Sequence, residues 1–279
     1  MSWGLKLITS SYQNHAKGDC IMDISKIVLN SLKYPFRNIV KLPIICILFI
    51  LIAIIPIGMI SDNNYIVAIG VIAFFLFILL VPGYFVSVVK LGANQKSMLP
   101  SFNLVNNIYD SIRVLFLRIV YMIVPALVFF ISLSAFGPTS RELLFNYKIL
   151  EFLATVGFVL VLILIIYFIF EFFLFFAKAR LAYFNSLREA LKINEVIGDI
   201  RRIGIVNIIK WLIVMAILLN VITFVTSFVI SIPYVGFLIY ICIVIPIIES
   251  IANYSLGLLY SNIARNYENS DLNELKIKY

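Results

Sequence analysis

Six long apolar stretches decide what this chain can fold into. They fall at about 40–60, 65–89, 112–136, 149–176, 205–231 and 234–262. Each reaches or exceeds the roughly 20 residues that a helix rising about 1.5 Å per residue needs to cross a hydrocarbon core of about 30 Å. Of 279 residues, 63% are hydrophobic and only 13% charged. Soluble domains carry about 25% charge, so there are too few charges here to cover a water-facing surface. Three cysteines and 12 glycines do not make a disulfide scaffold or a collagen-like repeat, and the apolar content excludes a disordered chain. In lipid every backbone polar group must be bonded within its own segment or barrel, and runs of this length do so as helices. The expected fold is therefore all-α: a polytopic integral membrane bundle of six transmembrane helices.

The interruptions between the stretches arrange them in pairs. Only Ser61-Asp62-Asn63-Asn64 separates the first two, Gly137-Pro138 and Arg141-Glu142 mark the connection between the third and fourth, and a tight turn around Pro233 joins the last two. Three helical hairpins follow, with longer connections at their other ends. The chain then divides into a polar N-terminal extension (1–21), a membrane domain (22–262) and a polar tail (263–279). The extension has no apolar run long enough for a cleaved signal; it reads as a disordered extension or as an upstream start.

Lys and Arg near span ends are retained in the cytoplasm. Twenty of the 22 Lys and Arg residues fall before or at the start of the first span, in or beside the longer connections including the starts of spans three and five, or in the tail, and only Arg141 and Lys148 fall at the opposite ends. Both termini are therefore expected in the cytoplasm of a multi-pass cell-membrane protein. The formal net charge of +8 reads as an insertion and lipid signal. Its cations are spread over juxtamembrane positions instead of gathering in one patch, so no nucleic acid is expected as a partner.

The basic connections are amphipathic. Ile24, Ile27, Val28 and Leu32 recur at helical spacing before span one; Leu104, Val105, Ile108 and Ile112 do so before span three. Leu181, Phe184, Leu187 and Leu191, then Val196, Ile197 and Ile200, do so before span five. Each segment reads either as a helix lying in the membrane interface or as the cytoplasmic extension of the next span. Their recurrence ahead of each hairpin suggests a threefold, same-direction repeat, unlike the inverted repeats of many secondary transporters. The cations expected to meet lipid headgroups are Lys178, Arg180, Arg188, Lys192, Arg201, Arg202 and Lys210.

Leu32-Lys33-Tyr34-Pro35-Phe36-Arg37-Asn38, Gly83-Tyr84, Leu99-Pro100-Ser101-Phe102 and Ile232-Pro233-Tyr234-Val235-Gly236-Phe237 resemble the polytopic membrane family called domain of unknown function 4013. That family is seen mainly in archaea, including methanogens. Over about 23–262, the resemblance implies a six-span membrane protein without an assigned activity, and it carries over no catalytic residue.

Ionisable groups deep in a bilayer cost about 2.5–3.5 kcal/mol each on insertion scales and mark candidate sites. Glu249 lies about 16 residues beyond Pro233, with Asn253 one turn further on the same face; Asn220 and Thr223 lie in span five, Asn220 about 13 residues before Pro233. Asn220 and Glu249 are thus expected at similar depth. They read either as a small polar cavity or ion-responsive site, or as an interhelical hydrogen bond that holds the hairpin together. Glu171 and Lys210 match in depth as well and could pair, although Lys210 beside Trp211 equally suits snorkelling to the headgroups. Prolines 56, 82, 125 and 246 fall inside spans and are expected to kink them.

Lone His15 and Cys20, Cys46 and Cys242 have no metal-ligand spacing, and there is no phosphate loop or nucleophile elbow. No enzymatic activity, cofactor or metal is expected. The first functional reading is a membrane-organising or accessory protein gripping anionic lipid headgroups, with a membrane-protein partner or a second copy of itself left open. The second is a small-solute or ion transporter or channel using the polar groups of spans five and six.

Overall fold

The computed structural model describes residues 23–145, 149–232 and 235–277. The N-terminal extension, Lys148 and the Pro233 turn lie outside them. Among the described residues the regular elements are all helical: α1 (Ile24–Lys33), a 3-10 helix (Pro35–Lys41), α2 (Leu42–Ile60), α3 (Asn64–Ala93), α4 (Leu104–Phe145) and α5 (Ile149–Phe184). There follow α6 (Leu187–Leu191), α7 (Ile193–Ile203), α8 (Ile205–Ile230), α9 (Gly236–Ile239), a π-helical segment (Tyr240–Val244) and α10 (Ile245–Ile277). Six stretches are long and apolar enough to cross a bilayer: Ile39–Ile60, Asn64–Ala93, Leu104–Phe136, Ala154–Phe184, Ile205–Ile230 and Gly236–Ile263. Large apolar side chains stand outward on them, among them Phe75 at 61%, Phe130 at 65%, Phe168 at 64% and Phe224 at 68% exposure. A belt of this kind is stable only against lipid. The chain is an all-α, multi-pass membrane protein.

The amphipathic segments resolve differently from one another. The one beginning at Leu104 is the first part of α4 and continues into the third span without a break. The first forms a helix of its own; in the third, Leu181 and Phe184 close α5, and the rest forms α6 and α7. Pro35 opens a 3-10 helix between α1 and α2, and Gly204 ends α7 with φ +89°, a conformation that only glycine adopts freely, before α8 begins. Helices run through Pro56 and Pro82. Ahead of Pro246 the chain opens into the π-helical segment, and the wider turn there relieves the clash between a proline ring and the carbonyl four residues earlier.

The chain forms two compact units, Met1–Ser111 with Gly198–Tyr279, and Ile112–Ile197. In the first, the turn between α2 and α3 is set by Asn63, whose side chain accepts the N–H groups of Tyr65 and Ile66 at 3.0 and 3.3 Å and so caps α3. Helix α3 packs on α2 and on α10, and α1 also packs on α10. At their meeting point the Tyr34 ring stacks on Tyr254 with centroids 3.8 Å apart and planes 9° from parallel. The Tyr34 hydroxyl donates to the Met98 carbonyl at 3.3 Å, and Lys41 Nζ donates to the Leu99 carbonyl at 3.0 Å. Two residues at the entry to span one thus hold down the connection that follows α3. Further along α10, buried Asp199 accepts a hydrogen bond from the Tyr260 hydroxyl at 2.7 Å and tethers α7. Within the second unit, Arg118 meets Glu171 at 3.2 Å, Arg113 donates to the Asn185 side chain at 2.8 Å, and the Tyr121 hydroxyl donates to the Ala190 carbonyl at 3.2 Å.

Candidate functional site

Of the cations of the connection before α8, Arg180 is buried against carboxylates, Lys192 and Arg202 are exposed but meet a carboxylate as well, and others are simply presented outward. Arg180 is only 3% exposed. Its Nε donates to the Glu189 carbonyl at 3.0 Å, its Nη2 lies 3.3 Å from the Glu189 carboxylate and 3.6 Å from that of Glu195, and the guanidinium covers the Phe184 ring at 4.7 Å. The sequence reading counts Arg180 among the headgroup contacts; the structure instead uses it to fasten α6 and the start of α7 to the end of α5. Lys192 pairs with Glu189 at 2.6 Å. Lys192 first, and then Arg180, hold the Glu189 carboxyl below the usual carboxylate range. Arg202 lies 3.5 Å from Asp199. Arg188, Lys192, Arg201, Arg202 and Lys210 are exposed, whereas Lys178 is half-buried. Glu171 meets Arg118, and Lys210 stands outward beside Trp211, which is buried.

Polar groups of spans five and six make hydrogen bonds along their own helices. Asn253 is buried and donates to both the carbonyl and the carboxylate of Glu249, at 2.8 and 3.1 Å, so these two form a unit on α10. Glu249 itself is exposed. Asn220 donates to the Ala216 carbonyl at 2.8 Å, and near Thr223 the Thr226 hydroxyl donates to the Ile222 and Thr223 carbonyls at 2.6 and 3.2 Å. These are back-bonds to the same helix, the ordinary way Asn, Ser and Thr are satisfied in an apolar helix. Among the described residues no hydrogen bond joins Asn220 to Glu249; each bonds within its own helix. No cluster of three His, Cys, Asp or Glu side chains suited to a metal occurs among the described residues.

A third polar site is not anticipated by the sequence reading. The segment linking α3 to α4 folds back beside the end of α3 and leaves a concavity of about 470 Å³, lined by Lys41, Lys90, Lys96, Asn103 and Asn107 among others. Lys41 comes from the end of the 3-10 helix at the start of span one, Lys90 from the last turns of α3, Lys96 from the linking segment and the asparagines from the start of α4. The run Asn103, Asn106 and Asn107 so close after Lys96 is the signal in the sequence that could have pointed here.

The model of the family described as protein of unknown function (DUF4013) matches residues 66–231, more than half of the chain. The chain belongs to this family. Neither a curated protein nor a solved structure matches it. In this DUF4013 protein the matched region contains Lys90, Lys96, Asn107 and the basic connection as far as Lys210, together with Asn220 and Thr223. Lys41, Glu249 and Asn253 fall outside it. Family membership assigns no role to any of these residues, so a functional reading has to come from their geometry.

Proposed function

We propose that this DUF4013 protein is a non-enzymatic, membrane-organising or accessory protein of the cell membrane. Both termini lie in the cytoplasm, and its cationic connections hold anionic lipid headgroups there. The observation that carries this reading is the outward display of Arg188, Lys192, Arg201, Arg202 and Lys210 over a short stretch next to a membrane span. Each Lys or Arg near an anionic membrane surface contributes about 1 kcal/mol of attraction, screened by salt. The buried Arg180 supports the reading from beneath, because it meets Glu189 and Glu195 and so orders the segment that displays Arg188 and Lys192. A transport reading draws no support from a shared polar site, since Asn220 and Glu249 each bond within their own helix.

The test is lipid selectivity of the reconstituted full chain, measured by electron paramagnetic resonance with spin-labelled phosphatidylglycerol and phosphatidylcholine. Phosphatidylglycerol is expected to associate several times more strongly at low salt, with the preference falling toward one in 1 M NaCl, where the Debye length is about 3 Å. Arg188→Gln with Arg201→Gln should remove most of the preference. Equal association of the two lipids at every salt concentration would overturn the proposal.

A further inference from the structure

The concavity between α3 and α4 has the attributes of a built anion site. Lys41, Lys90 and Lys96 bring three ammonium groups to its wall, and no Asp or Glu is among the lining residues. Within the wall stands Asn107, 2% exposed, whose Nδ2 meets no acceptor. A buried donor left open is expensive; the Asn107 Nδ2 is closed to solvent as it stands, and a side-chain rotation toward the concavity would let a ligand supply its acceptor.

The backbone that carries this amide is held firmly in place. Gly83 on α3 lies so close against the backbone of Asn107 that a Cβ there would strike the Asn107 carbonyl. One turn further along α4, Ser111 Oγ accepts the Gly83 N–H at 2.7 Å. The Asn103 side chain accepts the Asn106 N–H at 3.2 Å, which fixes the first turn of the 42-residue α4, and the positive end of that helix dipole adds to the lysine field. The wall is anchored on the other side by the bond from Lys41 to the Leu99 carbonyl.

We propose that this concavity binds a phosphate group, carried either by an anionic lipid headgroup or by a soluble phosphate. Three lysines, with no carboxylate among the lining residues to neutralise them, suit a ligand that bears more than one negative charge, and their ammonium donors suit the multiple oxygens of a phosphate. A carboxylate supplies less charge and fewer acceptors. The site is formed by residues other than those of the connection before α8, so this inference goes beyond the lipid-holding function proposed above and can stand or fall separately from it.

The experiment follows thermal unfolding of the full chain in neutral maltoside micelles. Dioleoylphosphatidic acid, dioleoylphosphatidylcholine, oleate and sodium phosphate are added in turn at constant ionic strength. Phosphatidic acid is expected to raise the Tm, and phosphatidylcholine and oleate are not. In Lys90→Gln with Lys96→Gln, both exposed positions, the apparent affinity should fall about 25-fold, roughly fivefold for each lysine. In Arg188→Gln with Arg201→Gln it should stay as in the wild type. A rise with sodium phosphate as well means that a free phosphate suffices; a rise with phosphatidic acid alone assigns the site to a headgroup.

The proposal is overturned if neither phosphate compound raises the Tm, if the lysine double variant responds as the wild type does, or if oleate protects as well as phosphatidic acid. Asn107→Leu is a second check. With the open donor removed, the ligand-free chain should gain about 2 °C in Tm and lose most of its response to the phosphate compound that protects the wild type. A lower Tm with that response intact would make Asn107 a packing residue and contradict the site.

Discussion

Gly257→Leu is expected to destabilise the protein by about 3 kcal/mol or more, read as a lower midpoint of thermal unfolding in detergent and a smaller monodisperse yield. A Cβ on Gly257 would meet the Ala93 nitrogen and the Gly92 Cα, each at 2.8 Å, and would strike the Val89 carbonyl oxygen. From the facing side, a Cβ on Gly92 would meet the Tyr254 carbonyl oxygen at 2.6 Å and the Gly257 Cα at 3.0 Å. Every one of these neighbours is backbone, so no rotamer change can make room, and α3 and α10 would have to move apart. Such close approach through small residues is how helices gain contact in lipid, where apolar burial gives no net drive for association. Gly157→Leu is the control: a Cβ there meets nothing within 4 Å, and that variant should unfold like the wild type. Similar losses in both variants would mean that α3 and α10 do not meet through Gly92 and Gly257.

The second large effect is expected at Tyr34. Its side chain is fully buried, stacks on Tyr254 and donates to Met98, so Tyr34→Ala opens a cavity beneath α1 and should cost about 3–5 kcal/mol, as large aromatic truncations do. Tyr34→Phe keeps the ring and loses one hydrogen bond, which should cost about 1 kcal/mol. Burial pushes the Tyr34 hydroxyl above its usual range, with Tyr84 and Tyr254 adding to the effect. Its folded form is therefore the neutral one: its contribution is complete below pH 10 and is lost as the pH rises beyond that. Comparing the unfolding midpoints of wild type, Tyr34→Ala and Tyr34→Phe checks this. Equal losses in the two variants would place the stabilisation in the hydroxyl and contradict the role of the stack.

Much of the fold was legible because span length is a direct physical requirement. Six apolar runs became six helices of membrane length, and the Asn63 turn was visible as four polar residues between two of the runs. What sequence could not show was how each helix is rotated about its axis. Asn220 and Glu249 match in depth, but depth alone does not make them face each other, and a carbonyl four residues back is always at hand for an Asn in a helix.

Charge was read in the same one-dimensional way. Arg180 stands among cations in the chain, and only the fold brings Glu189 and Glu195 back onto it. The breaks in the amphipathic segments were half-legible. Pro35 and Gly204 mark two of them, and nothing before Pro125 interrupts α4, which is consistent with its running straight on from Leu104. The phosphate pocket was hidden because Lys41, Lys90, Lys96 and Asn107 come from four separate stretches, joined only when Tyr34 and Lys41 pull the linking segment over the end of α3.

Everything proposed here about headgroups requires that the linking segments carrying the cations lie at the cytoplasmic face, opposite the Asn63 turn. The most direct measurement is cysteine labelling in intact cells with a reagent that does not cross the membrane, after Cys20, Cys46 and Cys242 have been replaced by serine. Asn63→Cys should label from outside, and Ser101→Cys should label only after the cells are opened. Labelling of Ser101→Cys in intact cells, with Asn63→Cys protected, would reverse the orientation and contradict the account.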